Sequence, residues 1–131
     1  MLADTAAHLG LYNWIDIALD PFPYNGTTTT CEASWMGVPV ITLRGDRHAC
    51  RAGASLLTQL GLTELIADSV EEYVEIAVAL AVDQARLGEL RRSLRPRLAT
   101  SSLGDAAAFA RKIESAYRTM WQRWCASSQL P

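Results

Sequence analysis

The chain has 131 residues, half of them hydrophobic and a fifth charged, with 12 basic against 14 acidic side chains and a net charge of -2. This is ordinary globular chemistry rather than the signature of disorder, and the faint negative balance excludes the basic field that holds nucleic acid. Three cysteines, Cys31, Cys50 and Cys125, are odd in number and at no metal-ligand spacing, which argues against a disulfide framework or zinc site and for a reducing cytoplasm, while no apolar run reaches the ~20 residues of a membrane span.

Met1 to Leu11 is apolar and alanine-rich with no cap signal before it, so it reads as the middle of a truncated or split gene product. Ile15 to Asp20 is a short apolar run giving way to Pro21, Pro23 and Gly26, the pattern of a buried strand entering a loop. Thr29 to Gly37 has helical composition and closes at Gly37 with Pro39 just beyond. Val38 to Leu43 lacks polar alternation and is expected to be a central parallel strand. Arg51 to Leu60 places apolar residues at Ala54, Leu57 and Leu60 before Gly61, a helix ending at a left-handed glycine.

Glu64 to Ala67 suits a third strand. Ser69, followed by Glu71 and Glu72, caps a helix whose expected apolar stripe is Val70, Tyr73, Val74, Ala77, Val78 and Ala81. Helix continues to about Leu94, where Pro96 is expected to interrupt it. Asp105 to Cys125 forms a long amphipathic helix with Phe109, Ile113, Ala116, Tyr117, Met120 and Trp124 on one face. Alternating strands and helices specify a doubly wound α/β half. The expectation is one partial domain over residues 1–131, with a sheet part at 12–67 and a helical part at 69–127. Three short strands make a small sheet, and an upstream portion is expected to extend it.

The densest chemical signal runs from Asp20 to Glu32, through Asn25-Gly26 and four threonines, Thr27 to Thr30. In open α/β sheets ligands bind beyond the carboxyl ends of the strands. A loop leaving such an end for a helix N-terminus offers free amides and the positive end of the macrodipole to a phosphate, and threonine hydroxyls add donors. Glu32, one turn deeper than Thr28, is placed to accept the hydroxyls of a ribose. An alternative stays open on spacing alone: Thr29-x-x-Glu32 is also a capping box, which satisfies its own backbone and binds nothing.

Ile15 to Thr30, Glu32-Ala33 and Trp35 to Val40, together with Gly45 to Ala49, Gly53 to Leu57 and Met120-Trp121, closely resemble the C-terminal lobe of the O-GlcNAc transferase and SPINDLY-like glycosyltransferases. The resemblance spans nearly the whole chain. It implies the C-terminal part of a Rossmann-like lobe of the GT-B type, with a small parallel sheet, flanking helices and a long C-terminal helix that crosses back to brace an N-terminal lobe. It also implies an inverting enzyme, associated with tetratricopeptide repeats, that moves GlcNAc from UDP-GlcNAc or a related UDP-sugar to Ser or Thr of an acceptor protein, with neither cofactor nor catalytic metal.

By the same resemblance, Thr28 and Thr29 hold the diphosphate, Thr27 stands where animal members carry a histidine, Glu32 replaces their ribose-binding aspartate, and His8 aligns with a histidine contacting uracil. Thr5 stands in place of a nucleotide-binding lysine. The acceptor lobe, a second lysine and every proposed general base belong to upstream sequence, so no catalytic residue is expected here and the isolated chain should not turn over. The alternative is a non-catalytic lobe that binds UDP weakly or pairs with another polypeptide. Arg47 and His48 are weaker cleft candidates, no role is assigned to Cys31 or Cys50, and Arg86, Arg91, Arg92, Arg95 and Arg97 are expected to form a solvated face beside Asp83 and Glu89.

Overall fold

The structure, a computed structural model, describes residues 4–127. Three short strands form one parallel sheet in the order β1-β2-β3, with β1 at Ala18–Leu19, β2 at Val40–Leu43 and β3 at Ile66–Ala67. Register pairs Ala18 with Val40 and Leu19 with Ile41 on one side of β2, and Thr42 with Ile66 and Leu43 with Ala67 on the other. The described residues also form six α-helices: α1 (Thr5–Gly10), α2 (Thr28–Trp35), α3 (Ala52–Gln59), α4 (Val70–Val82), α5 (Gln84–Thr100) and α6 (Ala106–Ser127). The strand expected over Ile15 to Asp20 is shorter in the structure, Ala18–Leu19, tied to its neighbour by the Ala18 amide on the Pro39 carbonyl and the Asp20 amide on the Ile41 carbonyl, both at 2.9 Å.

Alternation divides the core in two. Val40 joins Ala33 and Val38 in a small cluster under α2, with Tyr12 and Ala18 against it. Its neighbour Ile41 joins the larger cluster, which draws Leu57 and Leu60 from α3, Tyr73 and Leu80 from α4, and Leu87, Leu90, Leu94 and Leu98 from α5. Gly37 and Gly61 adopt φ of 79° and 67°, ending α2 and α3 in the left-handed conformation expected of them. Ser69 accepts the amide of Glu72 as the expected cap of α4.

Two expectations are corrected. Pro96 does not interrupt the helix: α5 runs through it, because Leu94 and Leu98 on either side are both buried, and that burial outweighs the roughly 3 kcal/mol a helical proline costs. The stripe of α4 is also rotated. Tyr73 and Leu80 are buried and Ile76 and Ala77 pack beside them, whereas Val70, Val74, Val78 and Val82 point outward, 48 to 76% exposed. The expected face of α6 exists as an apolar stripe, yet no residue of that helix is buried.

The arginines do more than solvate a face. Arg91 donates to the carbonyls of Ile15 (2.7 Å) and Asp16 (3.2 Å), Arg97 to those of Leu60 and Gly61 at 3.4 Å each, and Arg95 lies over the Trp35 ring at 4.5 Å. Through them α5 grips the segment before β1 and the ends of α2 and α3. Arg86 pairs with two acids, Glu64 and Glu89, and Arg91 also lies 3.7 Å from the Asp16 carboxylate.

Candidate functional site

The loop between β1 and α2 is held from inside by side chains that are themselves buried. Asp20 is 3% exposed; its Oδ1 accepts the Gly26 amide and its Oδ2 the Thr42 hydroxyl, both at 2.7 Å, while its carbonyl accepts the Tyr73 hydroxyl at 3.0 Å. Burial pushes the Asp20 carboxyl above its usual range, opposed by the bonds from Thr42 and Gly26. Asn25, also buried, donates to the Pro21 carbonyl and accepts the Gly53 amide, and its own amide bonds to Ala49. Thr30 donates to Gly26 and Ser34 to Thr30. Gly53 has no room for a side chain: a Cβ there would meet Asp20 Oδ2 and Thr42 Oγ1.

What this frame presents outward is the first turn of α2. Thr27 is its N-cap but makes no side-chain cap bond, and among the described residues no acceptor takes the amides of Thr28, Thr29 or Thr30. Thr27, Thr28 and Thr29 are exposed. Free amides at the positive end of an eight-residue helix, beside three hydroxyls, form a donor array suited to an anion.

The capping box is not made. Glu32 turns away from the helix start: its Oε2 accepts His8 Nε2 at 3.1 Å and the Tyr12 hydroxyl at 3.3 Å. His8 comes from α1, so the two residues bring together elements 24 positions apart. The Tyr12 ring meets His8 edge-on at 6.0 Å. Burial, and then the charge of Glu32, raises the Tyr12 phenol above its usual range, so it remains a proton donor near neutral pH.

Two clefts flank the turn. One of about 850 Å³ lies over the outer face of α3 and is bordered by Thr27, Arg44, His48 and Arg51. The other, about 200 Å³, is walled by Tyr12, Asp20, Thr29, Thr30 and Ala33. Thus Thr27 faces α3, Thr29 faces Tyr12, and His8 and Glu32 meet on the Tyr12 side. His48 borders the larger cleft, whereas the Arg47 side chain stands 86% exposed with Asp46 at 3.9 Å. Among the described residues no group of three or more His, Cys, Asp or Glu could hold a metal, and no helix is long and apolar enough to cross a membrane.

Residues 2–113 match the sequence profile of glycosyl transferase family 41. The chain belongs to that family. It is 52% identical over 118 residues to a rice protein (Oryza sativa subsp. japonica) described as a probable UDP-N-acetylglucosamine--peptide N-acetylglucosaminyltransferase SPINDLY, a match covering 90% of this chain and 13% of that protein. An Arabidopsis thaliana relative of the same description, SEC, is 37% identical over 115 residues, covering 87% of this chain and 12% of its own. A solved mutant of the Thermobaculum terrenum O-GlcNAc transferase shares the fold with a TM-score of 0.89 at 46% identity, covering 95% of this chain and 24% of that one.

This family 41 chain therefore has the α/β, GT-B-type architecture that the resemblance implied, and it spans about an eighth of the length of the curated relatives. Sequence reasoning placed Asp20 and Asn25 in the loop but not as its buried anchors, and it missed Tyr12. Asp20 and Asn25 carried a signal of their own, since polar residues at a strand end and in a tight loop are buried only when bonded. Tyr12 carried none, because its partner lies 20 residues away.

Proposed function

We propose that this chain is the donor-nucleotide half-site of a protein glycosyltransferase of the O-GlcNAc transferase type, taking a UDP-sugar whose diphosphate docks on the first turn of α2. The observation that carries this reading is that the amides of Thr28 and Thr29, residues exposed over a loop whose anchors are buried, have no acceptor among the described residues, in a family 41 chain. The amides and the hydroxyls of Thr27, Thr28 and Thr29 receive the diphosphate, Glu32 accepts ribose hydroxyls, and His8 lies on the side of the base. Three charge-assisted hydrogen bonds at about 1.5 to 3 kcal/mol each place diphosphate affinity at micromolar or weaker.

In transfer to a serine or threonine hydroxyl, the bond from the anomeric carbon to the β-phosphate oxygen breaks and negative charge gathers on the departing UDP. Donors already aimed at that phosphate need no reorganisation as the charge grows, so they favour the transition state over the intact sugar nucleotide. That electrostatic contribution is this chain's share of the reaction. The acceptor protein and the proton-accepting group belong to other sequence, and residues 1–131 are read as one partial domain. GlcNAc, named in the relatives' descriptions, is the proposed sugar.

Calorimetric titration with UDP tests the assignment. Thr28→Ala removes one hydroxyl and Glu32→Ala the ribose acceptor; each is expected to weaken UDP by about tenfold or more, the worth of one hydrogen bond to a charged partner. UDP binding that is equal in all three proteins defeats the assignment.

A further inference from the structure

Tyr12 lies in the turn at Leu11–Trp14 between α1 and β1, packed against the cluster of Ala33, Val38 and Val40. Its hydroxyl is 3.3 Å from Glu32 Oε2 and 3.5 Å from the Thr29 carbonyl. A phenol has one proton to give, and the shorter contact, to a charged acceptor, takes it. Both donors to Glu32, from Tyr12 and from His8, converge on Oε2, and Oε1 accepts nothing among the described residues. Two donors on one oxygen restrain the carboxylate and leave the other oxygen without a donor among the described residues, on a side chain that is 29% exposed.

The two donors differ in how firmly they are held. The His8 side chain is 47% exposed on the six-residue helix α1, and a base bound beside it competes with Glu32 for its Nε2 proton. Tyr12 is wedged against Ala33 and Val40 and has no such competitor. We propose that Tyr12 is a positioning residue: its hydroxyl holds the Glu32 carboxylate ready for ribose hydroxyls, and goes on holding it when His8 turns to the base. Selectivity for a nucleotide bearing both ribose hydroxyls then depends on a phenol outside the threonine motif. This rests on the reading of Glu32 as the ribose acceptor.

The 131-residue chain and its Tyr12→Phe and Glu32→Ala variants, each titrated with UDP and with dideoxy-UDP lacking both ribose hydroxyls, separate the two claims. Phenylalanine keeps the ring packing and removes only the hydroxyl, and alanine removes the acceptor outright. Tyr12→Phe is expected to weaken UDP about tenfold and leave dideoxy-UDP unchanged; Glu32→Ala is expected to abolish the preference for UDP. No UDP binding by the unsubstituted chain, or a preference that survives Glu32→Ala, overturns the ribose reading and the positioning role together. If Glu32→Ala abolishes the preference while Tyr12→Phe leaves it intact, or weakens both nucleotides equally, only the positioning role is overturned.

Discussion

The loop from Asp20 to Thr30 and helix α6 both expose many side chains, and they do so for opposite reasons. In the loop, Phe22 and Tyr24 are exposed on the way in, but the turn that follows exposes the hydroxyl-bearing Thr27, Thr28 and Thr29, and what is buried beneath it, Asp20, Asn25 and Thr30, is polar and fully bonded. In α6, Phe109, Tyr117, Met120 and Trp121 are each more than 60% exposed and nothing beneath them is buried. The polar surface over that bonded frame is where the proposed nucleotide docks. Helix α6, 22 residues long, carries its apolar stripe with no such frame beneath it.

Substitutions break this contrast most sharply at the loop's anchors. Asp20→Ala strands the Gly26 amide and the Thr42 hydroxyl in the interior and is expected to cost about 3 kcal/mol, read as a fall in the urea midpoint. Gly53→Ala drives a Cβ into the same pair of side chains and is expected to cost about 1 to 3 kcal/mol by the same measurement.

The pH dependence of stability sharpens the comparison without disturbing packing. Burial raises the folded carboxyl of Asp20 above 3.8, so the folded state binds its proton more tightly than the unfolded chain does. Its contribution is fully present below pH 3.8 and is lost as pH rises through the folded value. Asp68, paired with Arg44 at the surface, is lowered and acts in the opposite sense: its contribution is present above 3.8 and is lost as pH falls through its folded value. Denaturant titrations of Asp20→Asn and Asp68→Asn across acidic pH are expected to remove slopes of opposite sign. Slopes of the same sign defeat this account.

The smallest effects are expected on α6. Tyr117→Ser and Met120→Ser remove side chains that lie 67% and 63% exposed, so thermal stability of this chain should shift by no more than about 0.5 kcal/mol. A larger loss means that α6 is packed in solution and that the contrast with the loop is false.

Much of the architecture was legible because local chemistry decides it. Gly37 and Gly61 announce left-handed helix ends, Ser69 announces a cap, and the β-branched run at Val40–Leu43 announces a buried strand. The face of α4 was not legible. Valine and alanine occupy almost every side of Val70–Val82, and only the sheet against which the helix packs selects Tyr73 and Leu80 over the valines. The threonine motif was legible as a donor array, yet its spacing fitted a capping box equally well. Tyr12 and His8 engage the Glu32 carboxylate from outside the motif, and the capping box is not formed.

Arg91 adds a consequence in time. Its guanidinium holds the Ile15 carbonyl from 76 positions downstream, and Tyr73 reaches Asp20 from 53 positions downstream. On a ribosome that makes the chain from its amino end, the first strand leaves the exit tunnel long before the residues that fasten it. The threonine loop should therefore acquire its final shape only after α5 has been translated, and a nascent chain stalled before Arg91 should show that loop open to protease.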